Sequence, residues 1–292
     1  MYSATKSTVG RSAGEIARDE SFWREIQQAF TVDRNIINLN NGGVSPSPRV
    51  VQEAMRRYLE ISNMAPSYNL WDLLEPEVES VRRGLAATFG CRTRGTGHHA
   101  ERLGIARNLP DGAGLEARRR GAHHRSGLSA RAQHLGPACA ARWHRSEEDL
   151  VSRAPPSMDD LYHRIEEGIT SRTRAILICH ITNLTDQIFP VTRICRMAGS
   201  RGIDTIIDGA HAIAHFPFRL SELDCDYYGA SLHKWLLAPH GTGLLYVRRD
   251  KIRNLWPLMA APESMDDNIR KFEEIGTRPA ANDNAIADAL VF

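Results

Sequence analysis

The chain has 292 residues, 42% of them hydrophobic and 25% charged, with a formal net charge of +2. That length supports one large domain or two small ones around a real core. The balanced charge argues against whole-chain disorder and against any global pull toward nucleic acid or membrane.

No run of 18 apolar residues occurs, so no membrane-spanning helix is expected, and the N-terminus lacks the apolar stretch of a secretory signal. The five cysteines (Cys91, Cys139, Cys179, Cys195 and Cys225) are scattered without a C-x-x-C pair. That argues against a disulfide scaffold or a zinc knuckle and suits a soluble, reducing, cytoplasmic setting. Four lysines stand among 37 basic side chains: Lys6, Lys234, Lys251 and Lys271. A lysine in an apolar context therefore needs a reason.

Residues 1–20 are small, polar and charged and read as a flexible arm. Residues 21–91 read as an N-terminal helical segment. Phe22, Ile26 and Phe30 have helical spacing. NIINLNNGGVSPSP predicts a short strand and then a Gly/Pro turn. Val50, Val51, Ala54, Met55, Tyr58 and Leu59 mark a helix over Arg49–Ile61. A second amphipathic helix runs from Leu73 to Phe89, with Gly90 at its C-terminal stop.

The character then changes. Residues 92–155 are Arg/His-rich. Up to Ala154 they hold twelve arginines, no lysine, six histidines and eight glycines, without Phe or Tyr. Neither helical nor strand alternation persists. A basic disordered insert is one reading. An Arg-rich RNA-binding arm is another, although it lacks the interleaved aromatics that stack on bases. The histidine pairs His98-His99 and His123-His124 match no ordinary zinc spacing, and no metal is expected. The reading we favour is translation out of frame. Shifting the codons of Gly97–Arg102 by one nucleotide can spell A-I-T-R-N-A, and those of Arg120–Leu128 can spell E-V-L-T-T-D-Q-D-Y.

Regular text resumes at Ser157. Met158–Gly168 is a helix, with Ser157 as N-cap and Asp159 and Asp160 in its first turn. RAILICHIT (Arg174–Thr182) is a buried strand, and Pro190 opens a helix through Arg201. Three further strands follow: Ile203–Asp208, Cys225–Ala230 and Gly243–Val247. Strands alternating with helices predict an α/β fold with a mostly parallel sheet flanked by helices. Residues 156–292 would form the ligand-binding part, with polar groups gathered at the carboxyl ends of strands.

Those ends carry Asn183, Asp208 with His211, and Ser231, His233 and Lys234. Taken singly, each has an ordinary structural explanation. Lys234 alone reads as a snorkelling lysine, Asp208 as a turn cap and His211 as a structural histidine. Together they suit pyridoxal 5′-phosphate (PLP). An amine can condense with its aldehyde, a carboxylate can keep its pyridine nitrogen protonated, and hydroxyl and imidazole groups can hold its phosphate.

The segments HITNLTDQIFPV, TIIDGAHA and GASLHKWLLAPHGTGLLYVR resemble class V aminotransferases of the PLP fold-type I superfamily. NLNNGGVSPSPRVV is similar to the isopenicillin N epimerase-like branch. The resemblance covers roughly residues 20–91 and 156–292. It implies that Lys234 is the Schiff-base lysine and α-proton shuttle, and that Asp208 partners the pyridine nitrogen. It places His211 and Asn183 near the cofactor's phenolic oxygen, Ser231 and His233 at the phosphate, and Asn41, Gly42 and Gly43 near the substrate. It implies α-proton abstraction from an amino acid, followed by epimerisation or transamination, in a homodimer without nucleic acid or membrane partners.

The departures are equally specific. The family's phosphate-gripping turn is absent from the sequence after Cys91. Asp186 stands where a glycine is usual. The C-terminal small domain is expected to be missing, and the encoded activity to be impaired. Two alternatives remain: a non-enzymatic basic nucleic-acid-binding protein, and a cysteine desulfurase-like PLP lyase.

Overall fold

In a computed structural model, the structure describes residues 8–91, 101–107, 157–257 and 259–292. The fold is α/β. Five strands form one mixed sheet in the order β1-β5-β4-β3-β2. They are β1 (Glu101–Arg107), β2 (Ala175–Cys179), β3 (Asp204–Asp208), β4 (Tyr227–Ser231) and β5 (Thr242–Arg248). The pairs β2–β3 and β3–β4 are parallel, whereas β5 runs antiparallel to both β4 and β1. The sheet is thus less uniformly parallel than its strand–helix alternation suggested, because no helix crosses over between β4 and β5.

Among the described residues, the α-helices of five or more residues are α1 (Ala13–Ala17), α2 (Glu20–Gln28), α3 (Arg49–Met64), α4 (Glu75–Phe89), α5 (Met158–Glu167), α6 (Val191–Ser200), α7 (Ala280–Asn284) and α8 (Ile286–Leu290). Side chains of α3 to α6 and α8 form a single core with Ile176, Ile178, Ile207, Tyr228, Ala230, Leu244 and Tyr246. By strand alternation these seven share one side of the sheet. The opposite side is covered more thinly: Ile252, Leu255, Ile269 and Phe272 pack on Ile206, Tyr227, Leu245 and Val247. In β2 and β3, alternate residues on that side stay half-buried.

Local chemistry explains the helix ends. The Ser157 side chain accepts from the Asp160 amide and caps α5. Gly90, at φ 67°, ends α4 in the left-handed region. Among residues 1–20, Ala13–Ala17 forms a short helix. Ser12 and Glu15 make a reciprocal capping box there, an S-x-x-E signal that composition alone concealed.

Two segments differ from expectation. Asn35–Leu39 forms no strand. Asn40 donates its amide to Asn38 Oδ1 at 2.9 Å, and Asn38 Nδ2 donates to Asn41 Oδ1 at 2.7 Å. Local Asx bonding competes with strand pairing there, and among the described residues no strand pairs with this segment. Conversely, Glu101–Arg107 pairs as β1 along the whole of β5, from Glu101 opposite Arg248 to Arg107 opposite Thr242. An edge strand needs backbone groups more than alternation, which the sequence pattern could not register. The rest of the Arg/His-rich window lies outside the described residues, as do the out-of-frame reading and the histidine pairs.

Candidate active site

β3 ends at Asp208 and β4 at Ser231. In the parallel register Asp208 lies between Cys179 and Gly229, and alternation puts Asp208, Cys179 and Ser231 on the thinly covered face. Gly229 offers no side chain, so the strand next to Asp208 leaves an open floor. The half-buried Asp208 carboxylate accepts the Ala210 amide through Oδ1 at 3.0 Å.

β4 continues into a loop that turns sharply at Leu237, whose φ is 60°. Lys234 lies on that loop. Its Nζ is 3.0 Å from His211 Nε2, in the turn after β3. Burial, with the Lys234 charge assisting, pushes the His211 pKa down to about 4, while the Asp208 carboxylate opposes that shift. The imidazole is therefore neutral at pH 7. An ammonium can only donate, so His211 Nε2 accepts and the ring proton resides on Nδ1.

Trp235 braces the next position. Its indole stacks on His215 with centroids 4.0 Å apart and planes 8° from parallel. His215 Nδ1 in turn donates to the His211 carbonyl at 2.9 Å. The two loops that carry Lys234 and His211 are thus tied by ring stacking as well as by the amine.

The N-terminal loop closes a third side. Ser45 donates its amide to the His233 carbonyl at 3.1 Å, His240 Nε2 donates to the Ser45 carbonyl at 3.1 Å, and Ser47 Oγ donates to the Ala238 carbonyl at 3.1 Å. A Cβ at Gly42 would lie 3.4 Å from His211 Cε1 and 3.5 Å from Trp235 Cζ2, so any side chain at this position would pack against the histidine and tryptophan. Beside it runs a groove of about 690 Å³, lined among others by Ile36, Asn38, Asn41, Val44, Leu237 and His240.

The structure thus brings Lys234 and His211 together, with Gly42 beside the imidazole and Asp208 close enough to bias His211. Ser231 is buried, 3% exposed, at the end of β4 on the face of Asp208. His233 is buried with Nδ1 donating to the Thr242 carbonyl at 3.2 Å, and burial lowers its pKa. As a neutral ring it offers Nε2 as an acceptor. Asn183 is exposed in the loop after β2 and has no hydrogen bond to any of these residues.

The profile of the class-V aminotransferases matches residues 37–282. The chain belongs to the class-V aminotransferase family. Over 239 residues it is 30% identical to the isopenicillin N epimerase of Amycolatopsis lactamdurans, covering 78% of this chain and 58% of the relative. Over 246 residues it is 28% identical to that of Streptomyces clavuligerus, covering 80% and 59%. The chain spans about three-fifths of the length of these curated relatives. Among solved structures, the C–S lyase C-DES with glycine covalently linked to its PLP cofactor aligns with a TM-score of 0.70 at 19% identity, over 91% of this chain and 73% of that one. An apo cysteine desulfurase from Thermococcus onnurineus also aligns with a TM-score of 0.70, at 18% identity, over 92% and 70%. At such identity these two likenesses speak for the fold.

Within this class-V site, Asp186 adopts a φ of 53° at a position where the sequence resemblance put a glycine. Sequence reasoning did not single out Trp235, His215, Gly209 or Tyr228. For His215 a signal existed: it follows His211 by four residues, the spacing of one helical turn. Gly209 and Tyr228 meet through strand register, which a linear pattern does not display.

Proposed function

We propose that the chain is a PLP-dependent enzyme that acts on an amino acid by abstracting its α-proton, as an isopenicillin N epimerase-like enzyme or an aminotransferase. One observation carries the reading: the Lys234 amine lies 3.0 Å from a neutral His211 whose turn begins at the half-buried Asp208 carboxylate. This set fits the cofactor at its aldehyde and pyridine ends. The Asp208 carboxylate and the strand floor at Gly229 share the thinly covered side of the sheet, and the Lys234 amine and that carboxylate both act electrostatically on His211. The family membership and the names of the similar proteins support it.

Bound there, PLP would supply an electron sink for the carbanion left at the amino acid's α-carbon. Lys234 would take the α-proton on Nζ and return it. His211 Nε2, neutral at working pH, would accept the hydrogen bond of that amine and keep it oriented. Asp208 would hold a proton on the ring nitrogen. Ser231 would donate its hydroxyl to the phosphate, and His233 would donate Nε2–H in the protonated form that the phosphate's negative charge would favour. Asn183 and His211 would serve the phenolic oxygen, and Asn41, Gly42 and Gly43 the substrate side.

The family's phosphate-gripping turn belongs in the window that the Arg/His-rich text occupies. We therefore expect weak cofactor affinity and low turnover in the chain as encoded. A desulfurase-like reaction is less favoured, because it needs an accessible thiolate. Of the described cysteines, Cys91, Cys195 and Cys225 are buried, the Cys195 thiol being pushed up to about 12, and Cys179 beside Asp208 is half-buried.

A homodimer is part of the proposal. Ile36, Ile37 and Leu39 are 66%, 86% and 91% exposed beside the active-site loop, and a second subunit would cover them. Among the described residues no helix is long and apolar enough to cross a membrane, and Cys91, Cys179, Cys195 and Cys225 form no disulfide. Both observations suit the proposed cytoplasmic location.

Titration of the purified chain with PLP tests the reading. A visible absorbance band should form and should be lost in Lys234→Ala. An unchanged band in that variant would overturn it.

A further inference from the structure

We infer that Tyr228 and His180, buried on the far side of the sheet, are positioning residues for the Asp208 carboxylate. The inference rests on the PLP reading above and deepens it.

The contacts converge on one peptide unit, Asp208–Gly209. Its carbonyl accepts the His180 amide at 2.8 Å, and its N–H donates to the Gly229 carbonyl at 2.7 Å. Its underside rests on a ring. A Cβ at Gly209 would fall 2.0 Å from Tyr228 Cε1 and 2.1 Å from both Cζ and Oη, so the phenol occupies the space a side chain would need. The phenol is held in turn: Tyr228 Oη is 3.1 Å from His180 Nδ1. The imidazole is boxed edge-on by Phe216 at 5.2 Å and Phe218 at 4.8 Å between centroids.

His180 therefore acts twice. Its backbone grips the Asp208 carbonyl, and its ring fixes the phenol beneath Gly209. The carboxylate is near enough to help raise the Tyr228 pKa, but the hydrogen bonds of the pair go to the peptide and to each other. They set the plane of the peptide that follows it, and hence the direction in which the Asp208 side chain leaves the strand.

The pair carries no charge. Burial lowers the His180 pKa to about 4 and raises that of Tyr228 well above its ordinary value. A neutral hydroxyl and a neutral imidazole satisfy each other inside an apolar core. An apolar pair would fill the same space without desolvating two polar groups, so a hydrogen bond retained here calls for a role beyond packing.

The test compares three forms of the full chain with wild type: Tyr228→Phe, the double variant Tyr228→Phe/His180→Leu, and Asp208→Asn. Removing both polar partners leaves no orphaned group, so the double variant should unfold close to wild type while the single variant is less stable. If the pair only fills space, cofactor affinity follows stability and the double variant recovers it. If the pair positions Asp208, the double variant binds PLP about tenfold more weakly despite its stability, the cost of roughly one misaligned charged hydrogen bond. The pH midpoint of its visible band also moves in the direction seen for Asp208→Asn. In the cofactor-free chain, the Gly209 amide should lose protection from hydrogen exchange while Ile207 keeps it.

Wild-type affinity and midpoint in the double variant, alongside a changed Asp208→Asn, overturn the positioning role and leave the PLP reading intact. No change in Asp208→Asn, or no uptake of PLP by the wild-type chain, removes the PLP reading and this inference with it.

Discussion

Lys234 Nζ and His211 Nε2 lie 3.0 Å apart, joining the loop after β4 to the turn after β3. The imidazole is held neutral by burial and by the amine's own charge, so it is a standing acceptor for that amine. Lys234→Ala should remove the visible band and lower any turnover by at least about a hundredfold, the scale of a lost general acid–base group. Absorbance spectroscopy with PLP and a coupled assay for α-proton exchange in deuterated water check this together.

Burial also gives a pH dependence. His180 and His211 each titrate near 4 in the folded chain, below their ordinary 6.5. The unfolded chain then binds protons that the native one refuses, so stability is whole above pH 6.5 and falls as pH drops toward 4. His180 alone accounts for up to about 3 kcal/mol of that loss. Urea unfolding at pH 7 and pH 4.5 should show a smaller loss in His180→Gln than in wild type. Equal losses in the two proteins would refute the assignment.

Asp186 adopts φ 53°, where a Cβ is strained and glycine is not. Asp186→Gly should stabilise the fold by up to about 1 kcal/mol, the relief offset in part by added chain entropy. Its carboxylate also supports protonation of His211, so the variant should lower the His211 pKa further. Thermal unfolding and histidine NMR titration read the two effects separately.

Arg82 and Glu273 are 3% and 8% exposed and meet at 2.6 Å, with Glu79 on the other arginine nitrogen. Arg270 and Arg278 bind Glu75 close by, tying α4 to the segment before α7. Arg82→Leu leaves Glu273 buried with weaker compensation from Arg270. It should cost about 3–5 kcal/mol, whereas breaking the exposed pair of Arg253 and Asp267 should change stability far less, because solvent screens it. Paired denaturation curves for Arg82→Leu and Arg253→Leu test the contrast.

The out-of-frame reading makes a genetic prediction. The coding DNA over codons 91–156 should contain two compensating single-base changes relative to an intact frame. Restoring that frame should return a phosphate-binding turn and raise PLP affinity. Should the intact frame encode the printed residues, the segment is genuine protein and this reading fails.

Much was legible in the residues themselves. The helices at Arg49–Met64, Glu75–Phe89, Met158–Glu167 and Val191–Ser200 follow from apolar periodicity and from caps such as Ser157 and Gly90. The strands β2 to β5 announce themselves as short apolar runs between turns. The grouping of Lys234, Asp208 and His211 was readable because carboxylate and imidazole follow β3 and the amine follows β4.

Tertiary structure decided what depends on partners distant in sequence. Ile36, Ile37 and Leu39 have strand composition and remain exposed, because a strand needs a neighbour and none among the described residues pairs with them. Glu101–Arg107 lacks alternation yet pairs, because β5 offers it an open edge. The amine's 3.0 Å approach to His211, and the phenol beneath Gly209, arise from register between β3 and β4 and from the loops that leave them. Periodicity is a local property of the chain. Adjacency across a sheet is set by which strands pair and in what register, and that is settled when the core closes.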